Sequence, residues 1–331
     1  MTSSNDPSAP LPSWHAQGVP FRIEPLRPWL SAAWDEFVGR HSGGWMWHLT
    51  GWIAYQRAYA RGAGMDHSFA VLDESHRIVA VVPLFVFRSP DKPPELSYAG
   101  DPLPLPLLRE AGATHLVEDE IRRIAHEAGA HLYRAAGHPF RSVASTGIDL
   151  SIPLRSTGVA AQRVVDAPSW TGVRDSYRSL IHGGERQYVI SSHRGLGASA
   201  AFSAYERLHR QLHGGRPDAT YRLQREWLLD GRALIMLAEE LGEAWGAAYW
   251  FLYKRRAYYG SGAYLVRNLS HAVVWHALQA LHALGVEQVS LGWQGVARTE
   301  KERSVEFFKV GFGGSDVPVL WYEGPPGGEH G

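Results

Sequence analysis

Residues 234–253 read LIMLAEELGEAWGAAYWFLY, and residues 68–87 read SFAVLDESHRIVAVVPLFVF. Laid over one another without a gap, each is an apolar run, an acidic pair (Glu239-Glu240 and Asp73-Glu74), a polar turn and a second apolar run. Short apolar runs on either side of a polar turn predict a β-hairpin. The surroundings repeat as well. After the first hairpin a proline-rich stretch, 102–108, leads to a helix expected over 114–128 and a strand over 131–136. After the second come a strand over 257–263, a helix over 270–284 and a strand over 288–291. Thr114 and Ser270 stand where N-caps are expected, with Gly129 and Gly285 just past the helix ends. Repetition on this scale predicts a duplicated chain of two similar α/β units dividing near residues 155–170. The plainer alternative is that any two hairpin–helix–strand stretches look alike.

Outward from these two blocks, a strand is expected over 21–26, helices over 28–40 and 49–60, and near the end a helix over 301–310 and a strand over 317–322. Residues 1–20 and 324–331 read as flexible tails. The first unit then spans 21–160 and the second 161–323. The chain has 331 residues, enough to bury a large core without staples. It has no cysteine, which excludes disulfide scaffolds, thiol catalysis and cysteine-held metal centres. Lys plus Arg and Asp plus Glu balance at 33 each, so bulk charge does not draw the chain to nucleic acid. No signal-peptide pattern and no membrane-length apolar run is legible, and a soluble cytoplasmic protein is expected.

The motifs that carry chemistry are few. Neither a Walker loop nor a Rossmann glycine fingerprint occurs. The 17 histidines are scattered, and His271 and His276 share one expected helix as capping or surface residues. Residues 306–314 read EFFKVGFGG: Lys309 is framed by Phe307, Phe308 and Phe312 before a glycine turn. A lysine at the mouth of an aromatic channel meets phosphate or a developing oxyanion; one lying along surface aromatics does neither. Asp101, beside Tyr98 in a Tyr-Ala-Gly-Asp-Pro loop, is a candidate to grip an amine, and Tyr259 to orient a carbonyl. Both tyrosines also suit plain sheet packing. Arginines crowd 174–194 and recur at 207, 210, 216, 222 and 225, as a phosphate-binding patch or a solvated helix surface.

Hairpin, strand, helix, strand in this order resembles the GNAT acyltransferase fold, used twice. The resemblance implies an α/β (α+β) chain of two tandem GNAT-like domains, with mixed sheets flanked by helices. Coenzyme A binding in that fold uses Arg/Gln-x-x-Gly-x-Gly/Ala before a helix. Here Arg267-Asn-Leu-Ser270-His-Ala272 puts serine at the glycine position, and Arg109-Glu-Ala-Gly112-Ala-Thr114 ends in threonine, so both are degenerate.

Phe308-Lys309-Val-Gly-Phe-Gly-Gly resembles the C-terminal signature of the Fem-type aminoacyltransferases. His48-Leu-Thr-Gly-Trp52, Val82-Pro-Leu84, Ser97-Tyr98-Ala-Gly-Asp-Pro102, Tyr258-Tyr-Gly-Ser-Gly-Ala263 and Trp275-His-Ala277 match further pieces of that family in order, over about residues 20–323. The resemblance implies transfer of an aminoacyl group from aminoacyl-tRNA to an amine of a peptidoglycan precursor or a natural product, with no bound cofactor. It gives Lys309 a place near the donor end and the acceptor's phosphates, with Phe308 beside it. It makes Trp52 part of the site and Arg194 the nucleotide-holding arginine, with Arg186 as its rival. The long coiled-coil arm of the larger family members is missing. A CoA-dependent N-acyltransferase and a non-catalytic ligand-binding protein on the same fold are the alternatives.

Overall fold

The computed structural model describes residues 21–140, 157–297 and 299–324. Its first half opens with β1 (Phe21–Pro25), α1 (Ser31–Arg40) and α2 (Thr50–Tyr59). Short strands follow: β2 (Gly64–Asp66), β3 (Phe69–Asp73), β4 (Ile78–Val82), β5 (Phe85–Phe87), β6 (Glu95–Leu96), β7 (Leu103–Pro104) and β8 (Leu107–Leu108). α3 (Thr114–Ala128) and β9 (Leu132–Ala136) complete it. Next come β10 (Thr157–Val165), α4 (Asp175–Gln187), β11 (Val189–His193), α5 (Ser199–His213) and α6 (Asp218–Leu229). The chain then runs through β12 (Ala233–Glu240), β13 (Glu243–Tyr253), β14 (Arg256–Tyr264), α7 (Leu269–Ala283), β15 (Gln288–Gln294), α8 (Glu300–Val310) and β16 (Ser315–Gly324).

Both hairpins form where the sequence put them, as β3–β4 and β12–β13. They differ in one respect. β13 runs unbroken for 11 residues, whereas Pro83, which has no N–H to give a ladder, separates β4 from β5. The two pieces join different sheets. One sheet has the order β1-β3-β4-β8; the other has twelve strands, β11-β12-β13-β14-β15-β10-β16-β9-β6-β5-β2, with β7 also on β9. Strands from both halves therefore share one sheet. The last strand, β16, is threaded between β10 and β9 and pairs antiparallel with each.

The helices cover this sheet for reasons visible in their spacing. α3 buries Val117, Ile121, Ile124 and Ala125, positions that lie on one face at 3.6 residues per turn. Each apolar side chain of that size is worth about 1.5–3 kcal/mol when fully buried, less for alanine. α7 is apolar nearly all round and lies in the middle of a core cluster. α4 approaches it through Gly184, where a β-carbon would come within 2.6 Å of that of Ala272. The expected caps need correction. Thr114 is the first residue of α3, entered from a 3-10 turn, and Ser270 lies inside α7 behind Asn268 at φ +70°; neither makes a side-chain cap bond. The glycine stops hold, with Gly129 at φ +66° and Gly285 at φ +78°.

Among the described residues no helix is long and apolar enough to cross a membrane.

Candidate functional site

β14 and β15 pair in parallel only from Arg256–Tyr258 against Gln288–Ser290. Beyond Tyr258 the two strands have no further ladder bonds with each other, and a cleft opens there. On β14 the register against β13 slips between Tyr249 and Trp250, so Gly260 is the extra residue of a bulge. Trp47, Trp52, Tyr55, Gln56 and Tyr59 close the cleft from the α2 side, Tyr98, Asp101 and Pro102 from the first half, and Arg216, Phe251, Tyr258, Gly260 and Trp293 from the second. Its volume is about 200 Å³, and a second hollow of about 530 Å³ shares Tyr59 and Arg216 with it.

Asp101 is delivered by a tight turn. Ala99 at φ +53° and Gly100 at φ +97° are both left-handed, the geometry of a two-residue hairpin connection. The Tyr98 N–H donates to the Asp101 carbonyl at 2.8 Å, and the Asp101 N–H returns the bond at 3.0 Å. Arg134 clamps the turn by donating to the Gly100 carbonyl at 2.9 Å while paired with Glu95 and Glu323. The Asp101 carboxylate is open to the cleft but walled in at longer range. That loss of water raises its pKa to about 6, against a smaller pull downward from Arg134.

Lys309 stands at the β15 wall. Its Nζ donates to the Trp293 carbonyl at 3.0 Å, and burial lowers it to about 8, with Glu306 working the other way. Gly292, at φ +100°, makes room for it. A β-carbon there would lie 3.1 Å from Lys309 Nζ and 3.8 Å from the Tyr258 hydroxyl. Tyr258 feels the charge of Asp101, although desolvation is what chiefly pushes its hydroxyl up, so it stays protonated. Asp101 and Tyr258 thus line the opening, and the Lys309 ammonium lies behind Gly292 next to the Tyr258 hydroxyl.

The expected site residues divide. Asp101, Tyr98 and Trp52 line the cleft and Lys309 abuts it. Tyr259 does not line it: strand side chains alternate, and Tyr258 takes the cleft face while Tyr259 packs on Trp250 and bonds to Tyr264 at 3.1 Å. Phe308 turns away too, against His271 and Phe312, since neighbours on a helix point about 100° apart. Arg194 donates to the Gly231 carbonyl at the end of β11, and Arg186 is exposed in the last turn of α4. Neither is part of the cleft lining.

Arg216, between α5 and α6, is the arginine that is. Its guanidinium donates to the Tyr55 hydroxyl at 3.1 Å and lies 6.0 Å from the Tyr59 ring, with no carboxylate partner among the described residues. Arg210 and Arg225, by contrast, pair with Glu206, and Arg210 also with Asp218. Sequence reading placed Arg216 within a run of arginines; the aromatic positions Tyr55 and Tyr59, four apart on α2, were the signal that could have singled it out. On the far side of β14, the Arg267–Ser270 region opens α7, where Tyr259, Tyr264 and Leu269 pack into the core cluster. Near the start of that helix, His271 is neither a cap nor a surface residue: its ring is buried against Tyr177 and Phe308 and bonds to the Asn268 carbonyl at 2.9 Å.

No family model and no curated protein sequence matches the chain. Solved structures do. It is similar to FemX at 11% identity over 91% of this chain and 97% of that one, with a TM-score of 0.60. It is similar to L-PGS from Bacillus licheniformis at 13% over 90% and 92%, TM-score 0.56. The C-terminal domain of a putative lysylphosphatidylglycerol synthetase from Agrobacterium fabrum gives 14%, 90% and 92%, and 0.55. At such identities the likeness is one of fold alone: a mixed α+β chain whose sheets are flanked by helices.

Proposed function

We propose that the chain is an aminoacyltransferase that takes an aminoacyl group from the 3′ ester of a charged tRNA and forms an amide on an amine. The observation that carries this reading is the placement of Asp101 and Lys309 on either side of Tyr258 at the open end of the β14–β15 pair. An ester is already activated, so positioning and charge stabilisation supply most of what is needed. Asp101, ionised at neutral pH, takes a proton from the incoming ammonium and frees its lone pair. The amine nitrogen bonds to the ester carbonyl carbon, and the Lys309 ammonium offsets the negative charge that collects on the carbonyl oxygen. As the carbon–oxygen bond breaks, the proton held by Asp101 passes to the leaving 3′ oxygen, and the freed carboxylate takes the second proton from the new amide nitrogen and releases it to water.

Two further features support a nucleic-acid donor despite the neutral net charge. Phe307 is exposed on α8, and Arg174 lies 3.8 Å from its ring centre, a flat cationic surface of the kind on which unpaired bases stack. Arg61 and Arg216 border the second hollow, which favours anionic groups. FemX and lysylphosphatidylglycerol synthetase share the fold.

Purified protein is given an amine acceptor pool with charged tRNA carrying a labelled amino acid, or with labelled acetyl-CoA. Ribonuclease-sensitive amide formation is the expected result. Product formed only from acetyl-CoA and indifferent to ribonuclease transfers the site to CoA chemistry, and a failure of both donors leaves a binding protein.

A further inference from the structure

The cleft holds two opposite charges that do not meet. Among the described residues the Asp101 carboxylate has no side-chain partner, and the charge that acts on it is that of Arg134. Arg216 has no carboxylate either, and its neighbours are tyrosines. Asp101 is open to the cleft and Arg216 half-buried at its wall, so each can be met by an opposite charge on a molecule that enters. Between them the walls are aromatic: Trp47, Trp52 and Trp293 among others. One polar atom of a lining residue is also unpaired: the Trp52 indole N–H is buried without a hydrogen-bond partner. Aromatic faces attract an organic cation, most strongly where water is excluded, and a carboxylate beside them fixes where that cation sits.

We infer that the cleft is a recognition site for a dipolar, ring-bearing amine, with its ammonium at Asp101, its flat body against the tryptophans and an oxyanion at Arg216. This rests on the amine-acceptor reading above and narrows the acceptor to a compact molecule carrying charge at both ends. The oxyanion is a carboxylate or a phosphate, since a guanidinium serves both. The Trp52 indole N–H then serves a ring substituent that carries a hydrogen-bond acceptor.

Binding is measured by calorimetry, without any donor, using 4-(aminomethyl)benzoate, benzylamine, benzoate and O-phosphotyramine. At least one dipolar probe is expected to bind tenfold or more tighter than both singly charged ones, and comparison of the two dipolar probes tells carboxylate from phosphate. Asp101→Asn is expected to bring 4-(aminomethyl)benzoate to the affinity of benzoate. Arg216→Gln is expected to bring it to that of benzylamine, leaving benzylamine itself unaffected. Equal affinities across the wild-type series, or substitutions that weaken all probes alike, overturn the inference. The donor assay is separate: dipolar binding without transfer from tRNA sinks the transferase reading alone, whereas tRNA-dependent transfer without dipolar binding sinks this one alone.

Discussion

At the scale of single residues, Asp101 and Lys309 are displaced in opposite directions by the same cause. Loss of water raises the acid to about 6 and lowers the ammonium to about 8. The proposed reaction needs the first without its proton and the second with it. The kcat/KM profile is therefore expected to rise as pH climbs through about 6 and fall as it passes about 8. Asp101→Asn is expected to lower the rate by about 100-fold or more and abolish the acid limb. Lys309→Met should cost about 100- to 1000-fold, while Lys309→Arg should retain part of the rate and lose the alkaline limb. A flat profile in the wild type would remove both groups from the chemistry. Stability separates the roles: a carboxylate whose folded value is raised destabilises the fold once ionised. Asp101→Asn is thus expected to melt no lower than wild type at pH 7, and calorimetry reads it.

At the scale of elements, the fold spends unusual backbone to hold the opening. Gly292 lies at φ +100° beside Lys309. In Gly292→Ala the left-handed conformation costs about 1–3 kcal/mol, and the new methyl crowds Nζ and the Tyr258 hydroxyl. A lower melting temperature together with loss of the alkaline limb is expected; a normal pH profile would show that Lys309 tolerates displacement. His48 does a different job. Its ring donates from Nε2 to the Leu105 carbonyl at 2.9 Å and accepts from the Trp45 N–H at 3.2 Å, pinning the turn before α2 to the strand region of the first half. Burial drops it from 6.5 to about 4. In that window the unfolded chain takes the proton and the folded one does not. Stability is complete above pH 6.5 and falls as pH drops toward 4, by on the order of 3 kcal/mol. Melting temperature against pH should show this slope, and His48→Gln should flatten it.

At the scale of the whole molecule, the two halves are joined by a strand rather than by a linker. β16 pairs with β10 over Thr157–Val164 and with β9 over Tyr133–Ala136, so it is interior to the twelve-stranded sheet. Ending the chain at Gly314 would leave two rows of unpaired backbone groups. Such a chain is expected to lose its cooperative melt by circular dichroism, and to bind none of the aromatic amines. A sharp melt near the wild-type temperature would mean that the halves fold independently of this strand. The cleft depends on the same arrangement, since Trp52, Tyr98 and Asp101 come from one half and Arg216, Tyr258 and Trp293 from the other.

Much of this was written locally. The apolar runs, the polar turns, the glycine stops at 129 and 285, and the lysine among phenylalanines fixed two hairpins, the helices that follow and the neighbourhood of the site, because hydrogen bonding and side-chain period act over a few residues. The helices α4, α5 and α6 carry no assignment from the sequence, although Ala201, Phe202, Tyr205 and Leu208 keep a helical spacing, and Arg216 stands there as one arginine of a run rather than as the one in the site. Nor did the local pattern distinguish Tyr258 from Tyr259, or Arg216 from Arg194. Adjacent residues of equal chemistry differ only in which face is covered, and that depends on strands and helices distant in the chain. The charges at Asp101 and Arg216 were likewise legible as residues, but their isolation was not, since it is the tertiary structure that decides whether an opposite charge comes within reach.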